Sequence, residues 1–338
     1  MKSLKYYKYG EPEKVLVVND AETLPSPGNG EVVVRVTERM VHPIDELMIR
    51  GIVPLPISEA GLVPGGDGVG VIEVLGPGVT ETEQIRVGTR VGLFHGAHGT
   101  WAEYVTARAE DLILLPDDIS DETACQIMIN GITAATLLRE ACSARNVINE
   151  AGPVLITAAG SSVGRNLIAL ALKRGLKVIA TVRSKTSADI LTSAFSDIVV
   201  VETSNADWKT QTRSAYGIPP KVAIDPIGGA MTADLLDILA DRGTLLTYGG
   251  MDHSVSQLSS ITFVVRGLTL KGLSAPEAVQ DFTDEERAQD LQSLFDVVRN
   301  SPELFENYRK FSLSEAVKAI NSSQETPRRD AILLSTEA

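Results

Sequence analysis

The sequence predicts an α/β chain in which a doubly wound parallel sheet is inserted into an irregular β domain. Three observations carry that prediction. Residues 154–184 read as strand, tight small-residue turn, helix and strand, the pattern of a βαβ unit. Apolar strands and helices keep alternating from 198 to 248, as a parallel sheet with helices on both faces requires. Residues 1–125 instead hold short strands punctuated by Gly and Pro, and a length of 338 residues suits two domains, each with its own core.

In chain order, the first strands are expected at 32–37, 69–75, 90–94 and 101–106. Ser120 can cap a helix whose first turn holds Asp121 and Glu122, and a second helix covers 132–142; these two helices join the domains. The parallel sheet begins with a strand at 154–157, continues through a helix at 165–174 closed by Gly175, and takes its second strand from 178–182. Further strands fall at 198–201, 222–225, 244–248 and 269–273, with a helix at 231–240. Two capping boxes, Thr283 with Glu286 and Ser312 with Glu315, open helices in the remainder. The domains are therefore 1–125 with 275–338, and 126–274. The acidic run 281–290 reads as a solvated helix turn, Trp101 as a packing residue, and Asp45 as a residue that closes a turn or caps a helix. Residues 268–271 end the sheet and leave an edge of unpaired backbone groups, which a homodimer would cover.

The segment after the first parallel strand points to a dinucleotide. Ala158 to Gly164 are small enough for a backbone to approach a phosphate, and the following helix offers free amides and a partial positive charge to a diphosphate. Ala159, Ser161 and Gly164 stand where the usual GxGxxG would place glycines, so only the last one is retained. The end of the second strand supplies the missing weight. A site for an unphosphorylated ribose usually carries Asp or Glu there, whereas this chain has Arg183, Ser184 and Lys185. Two cations and a hydroxyl suit a 2′-phosphate, so the expected cofactor is NADP(H).

Composition excludes several partners. A net charge of −13 opposes binding to nucleic acid or to an anionic membrane. The N-terminus lacks the apolar core of a signal peptide, no apolar run is long enough to span a bilayer, and a cytoplasmic location is expected. Cys125 and Cys142 are too few for a disulfide framework or a four-cysteine zinc lobe, and each reads as a small buried residue. His95 and His98 are the one closely spaced imidazole pair, in a glycine-rich loop without a clear third metal ligand.

Several segments, in order, resemble the medium-chain dehydrogenase/reductase superfamily: HPID at 42–45, GGDGVGVIEVLGPGV at 65–79, GTWAEY at 99–104, Asn130 with Thr133, GSSVG at 160–164, TVRS at 181–184 and LLTYGGM at 245–251. Within it the chain is similar to the zinc-independent 2-enoyl thioester (trans-2-enoyl-CoA/acyl-carrier-protein) reductases. The resemblance implies a central Rossmann domain inserted into a GroES-like domain. It also implies a small-molecule substrate and a set of cofactor contacts. Asn130 and Thr133 would lie near the nicotinamide and its ribose. Gly160, Ser161, Ser162, Val163 and Gly164 would wrap the pyrophosphate, and Arg183, Ser184 and Lys185 would hold the 2′-phosphate. Tyr248, Gly249, Gly250 and Met251 would pass along the cofactor, with Leu273, Ser274 and Ala275 beside it in place of the family's aromatic segment, which alters the acyl pocket.

The chain also departs from its relatives. The zinc-using branch has Cys in the first catalytic segment and His followed by Glu in the next, whereas here stand His42 and Gly66 with Asp67, so no open three-ligand zinc site assembles. Reduction of a conjugated C=C bond needs a proton for the α-carbon. The family's donor is a Tyr shortly after the first segment, and its position falls on Val53. His42 is the expected substitute, as a neutral side chain that can carry a proton near neutral pH. Two further functions stay open: a quinone or enone reductase that needs no such Tyr, and an NADPH-binding scaffold without catalysis.

Overall fold

The computed structural model describes residues 1–94, 99–148, 152–325 and 330–336. Its elements in chain order begin with β1 (Ser3–Lys5), α1 (Pro12–Val15), β2 (Val17–Asn19), β3 (Glu31–Met40), α2 (Pro43–Arg50), β4 (Asp67–Leu75), β5 (Arg90–Phe94), β6 (Tyr104–Arg108) and β7 (Ile113–Leu114). Helices α3 (Asp121–Ile127) and α4 (Ile129–Ile148) lead into β8 (Val154–Ile156), α5 (Ser162–Lys173), β9 (Val178–Val182), α6 (Lys185–Ala194) and β10 (Ile198–Glu202). Then come α7 (Trp208–Ser214), β11 (Val222–Asp225), α8 (Gly229–Ile238), β12 (Thr244–Thr247), α9 (Ser260–Arg266) and β13 (Thr269–Gly272). The chain ends with α10 (Ala275–Ala278), α11 (Asp284–Asn300), β14 (Tyr308–Ser312), α12 (Ala316–Ser323) and β15 (Ala331–Ser335). No described helix is long and apolar enough to cross a membrane.

The chain divides into two compact units, residues 1–129 with 301–338, and residues 130–300. In the first, one sheet runs β14-β15-β3-β4-β5-β7, with β6 also paired to β3. All its pairings are antiparallel except β14 with β15. Alternation on β3 sends Val32, Val34 and Val36 into a core with Ile72, Val91 and Leu93. A second cluster joins Leu4, Tyr6, Ile49 and the fully buried Trp101 to Ile320, Ile332 and Leu334, so the C-terminal segment completes a core that the N-terminal part leaves open. Arg39 fastens that return. Fully buried, it donates to the carbonyls of Thr100, Val36, Ala102 and Leu334 and to the Thr336 hydroxyl. Burial lowers its pKa to about 10, and these acceptors keep the charge tolerable.

The second unit is a six-stranded, wholly parallel sheet in the order β10-β9-β8-β11-β12-β13. Leu155, Ile179, Val201, Ala223 and Leu245 pack from its strands onto Trp208, Leu235, Leu236 and Leu239. The chain moves outward from β8 to β10, then returns to β11 and proceeds the other way. The switch point, where open α/β sheets bind ligands, therefore lies between the C-terminal ends of β8 and β11. The expected strands 178–182 and 222–225 appear with those bounds.

Some expectations change. The last boundary falls after Asn300, not before residue 275, because α11 packs on α5, and Arg139 of α4 pairs with Glu286 at 3.0 Å and Asp290 at 2.9 Å. Asp290 is accordingly buried beneath Arg139 and Arg174 and Glu286 is half-buried, while Asp281, Asp284 and Glu285 stay exposed. Cys125 is buried as expected, but Cys142 is half-buried beside the Arg174 guanidinium. His95 and His98 lie outside the described residues.

Candidate cofactor and catalytic residues

In the second unit the turn after β8 carries the phosphate-binding expectation. Ala158 turns the chain at φ +45, a left-handed conformation that glycine usually takes. Ser161 then caps α5 by accepting the Gly164 amide at 3.1 Å. Gly164 is retained for a steric reason, since a Cβ there would lie 2.6 Å from the Ala159 carbonyl oxygen. Gly160 is exposed with nothing within 4 Å of a would-be Cβ, and Ser161, Ser162 and Val163 are half-buried. The unpaired amides at the start of α5 thus open onto accessible space.

Residues at the neighbouring strand ends reinforce this edge. Arg183 follows β9 and is exposed, with no carboxylate bridged to it among the described residues. Ser184 spends its hydroxyl capping α6, accepting the Ser187 amide, and Lys185 pairs with Asp189 at 2.9 Å. The free cation of the trio is therefore Arg183. At the switch point the Thr157 hydroxyl donates to the Asp225 carboxylate, which also accepts the Gly228 amide at 2.8 Å. Burial raises the Asp225 carboxyl above its usual range, and these donors partly offset the rise. The Tyr248 amide donates to the Asp225 carbonyl, and its phenol hydrogen-bonds Ser161. Burial and the Asp225 charge push that phenol well up. Sequence reasoning missed Thr157 and Asp225; an Asp ending an apolar strand before Pro226 and two glycines was the available signal.

The other expected positions are placed as follows. Gly249, Gly250 and Met251 are exposed, and a Cβ on Gly249 would lie 2.9 Å from the Pro226 carbonyl oxygen. Asn130 and Thr133 sit one turn apart on α4, both buried. Leu273 donates its amide to Thr247 at 2.8 Å and is buried with Ala275, and Ser274 precedes α10.

The first unit contains a separate buried cluster. His42 caps α2 in a capping box with Asp45, whose carboxylate accepts the His42 amide at 2.7 Å. The His42 ring does not lie on an open loop: Nε2 is 2.8 Å from Asp67 Oδ2, and both side chains are buried. The same Asp67 oxygen accepts the amide of Ile129, the first residue of α4. Burial raises the Asp45 carboxyl to about 7, against the opposing pull of His42 and the Gly65 amide. Val53 follows the left-handed Gly51 that ends α2, and it is 38% exposed.

Residues 28–117 match the family model for the alcohol dehydrogenase GroES-like domain, and residues 162–291 that for a zinc-binding dehydrogenase. A mitochondrial enoyl-[acyl-carrier-protein] reductase of Dictyostelium discoideum is 27% identical over 339 residues, covering 98% of this chain and 94% of its own. The quinone oxidoreductase of Pseudomonas syringae pv. Tomato DC3000 superposes with a TM-score of 0.84 at 25% identity over 99% of each chain. A mycobacterial protein solved in complex with NADPH does so with a TM-score of 0.81 at 28% identity, over 99% of this chain and 100% of its own.

Proposed function

Because the chain belongs to the medium-chain dehydrogenase/reductase superfamily, close to its enoyl reductases, we propose that it reduces conjugated C=C bonds and takes 2-enoyl thioesters as its substrate class. It is an NADPH-dependent oxidoreductase. The residues present fit that cofactor. The start of α5 offers free amides, Gly160 leaves room beside them, and the unbridged Arg183 stands at the end of β9, where a carboxylate would repel a 2′-phosphate. This last feature carries the cofactor reading.

In this reading Gly160, Ser161, Ser162, Val163 and Gly164 hold the pyrophosphate, and Arg183 holds the 2′-phosphate. Tyr248, braced on Ser161, fixes the turn from the β12 side. Asn130 and Thr133 serve the nicotinamide end. When bound, NADPH supplies a hydride. We propose that the reaction needs no zinc: His42 stands where the zinc-using branch has Cys, Gly66 and Asp67 where it has His and Glu, and His42 Nε2 pairs with Asp67. We also propose a homodimer. All of β13 is exposed at the end of the parallel sheet, and Val264 and Val265 of the adjacent α9 are 77% and 75% exposed.

A quinone or enone reductase is the second reading, favoured by Val53 where a proton donor is expected and by the likeness to a quinone oxidoreductase. Following NADPH oxidation against a short and a long enoyl-CoA, a simple enone and a quinone separates the two. NADPH binding with no turnover on any of them would leave a catalytically silent scaffold.

A further inference from the structure

Among the described residues of the parallel-sheet unit, two carboxylates are buried, Asp225 and Asp290. Asp290 lies between two cations, Arg139 at 2.9 Å and Arg174 at 3.4 Å. Asp225 is held by neutral donors alone: the Thr157 hydroxyl and the amides of Ile227 and Gly228. Those donors favour its ionised form, although burial without a counter-ion opposes it. A negative charge is thus kept inside the unit at a cost that an amide side chain in its place would not carry.

Its position gives that charge something to act on. A dinucleotide crosses an open α/β sheet at the switch point. With Arg183 at the end of β9 holding the 2′-phosphate half and the start of α5 holding the diphosphate, the nicotinamide half falls on the side of β11 and β12. Asp225 is the last residue of β11. The turn after it is laced to the exit of β12, where the amides of Tyr248, Met251 and Asp252 donate to the carbonyls of Asp225, Pro226 and Ile227 at 3.1, 3.0 and 2.8 Å. The charge is felt at the Tyr248 phenol, which in turn reaches Ser161 in the diphosphate turn.

We infer that Asp225 supplies a fixed negative charge that favours the oxidised, cationic nicotinamide over the reduced, neutral one, an assignment that rests on the cofactor reading above. When NADPH gives up its hydride, a C–H bond breaks, both electrons go to the acceptor, and the ring is left positive. A buried anion stabilises that charge as it develops, and in low-dielectric surroundings it does so without touching the ring. The benefit is the same for a thioester or a quinone as acceptor.

The test is Asp225→Asn, which removes the charge at nearly constant shape. Calorimetric titration of wild type and variant gives the dissociation constants of NADP⁺ and NADPH, and the ratio of the first to the second should rise about tenfold in the variant. Thr157→Val loosens the same strand end but keeps the charge, so it should weaken both forms together and leave the ratio in place. Gly250 is exposed with nothing within 4 Å of a would-be Cβ, and so admits a side chain on the same side of the sheet. Gly250→Lys should raise the ratio and Gly250→Asp lower it, which keeps the inference open to refutation even if Asp225→Asn does not fold. A ratio for Asp225→Asn within about twofold of wild type would overturn the inference. Equal ratios in the two Gly250 variants, or a shift as large in Thr157→Val, would do the same. A wild type that binds neither form would instead overturn the cofactor reading itself.

Discussion

His42 Nε2 lies 2.8 Å from Asp67 Oδ2, and that carboxylate oxygen also accepts the Ile129 amide at 3.1 Å. The imidazole thus ties the start of α2 to the strand β4 and, through Asp67, to the first residue of α4. Removing one partner of a buried pair strands the other, so His42→Ala should lose about 3–5 kcal/mol of stability. Urea unfolding checks this. A variant as stable as wild type but slowed in turnover would instead give His42 the role of a general acid.

Asp45 makes stability depend on pH. Its folded pKa of about 7 stands above the ordinary value of 3.8. Between those values the unfolded chain has released a proton that the folded chain still holds. Stability therefore falls as pH rises through that window and levels off above it. Asp45→Asn should flatten this part of the profile, measured as unfolding free energy across the window; an unchanged slope would place the titration elsewhere.

Ala158 pays for its left-handed turn. Gly should relieve about 1–2 kcal/mol of local strain and give back about 0.4–1 kcal/mol through the unfolded chain. Ala158→Gly is therefore expected to raise the thermal midpoint slightly. A clear drop would mean that the alanine methyl contributes packing beyond the turn.

The sequence signals that succeeded were local. Strands 178–182 and 222–225 are fully buried apolar runs, and Ser120 caps the helix expected after it, whereas α5 starts at Ser162, three residues before the expected 165. Helix α6 escaped notice because Leu191 is its one buried residue and Ala188 and Ala194 beside it carry little apolar signal. The buried state of His42 was equally hidden, since its partner Asp67 lies 25 residues away. Asp290 looked solvated within an acidic run because Arg139 and Arg174 arrive from two other helices.

Cofactor choice follows from Arg183. Truncation to Ala should cost NADPH on the order of 1.5–3 kcal/mol of binding, the range for a charged hydrogen bond, and leave NADH nearly unaffected. Titrations of wild type and variant with both cofactors check this. Equal wild-type affinity for NADPH and NADH would contradict the reading of the β9 end.

The central claim is that the bond reduced is an activated C=C. Incubating the protein with NADPH and a 2-enoyl-CoA, and identifying the product by mass spectrometry, tests it most directly. The account predicts the saturated acyl-CoA, formed with one NADPH consumed per product. Unchanged enoyl-CoA, under conditions where the same preparation rapidly oxidises NADPH with a quinone, would contradict it.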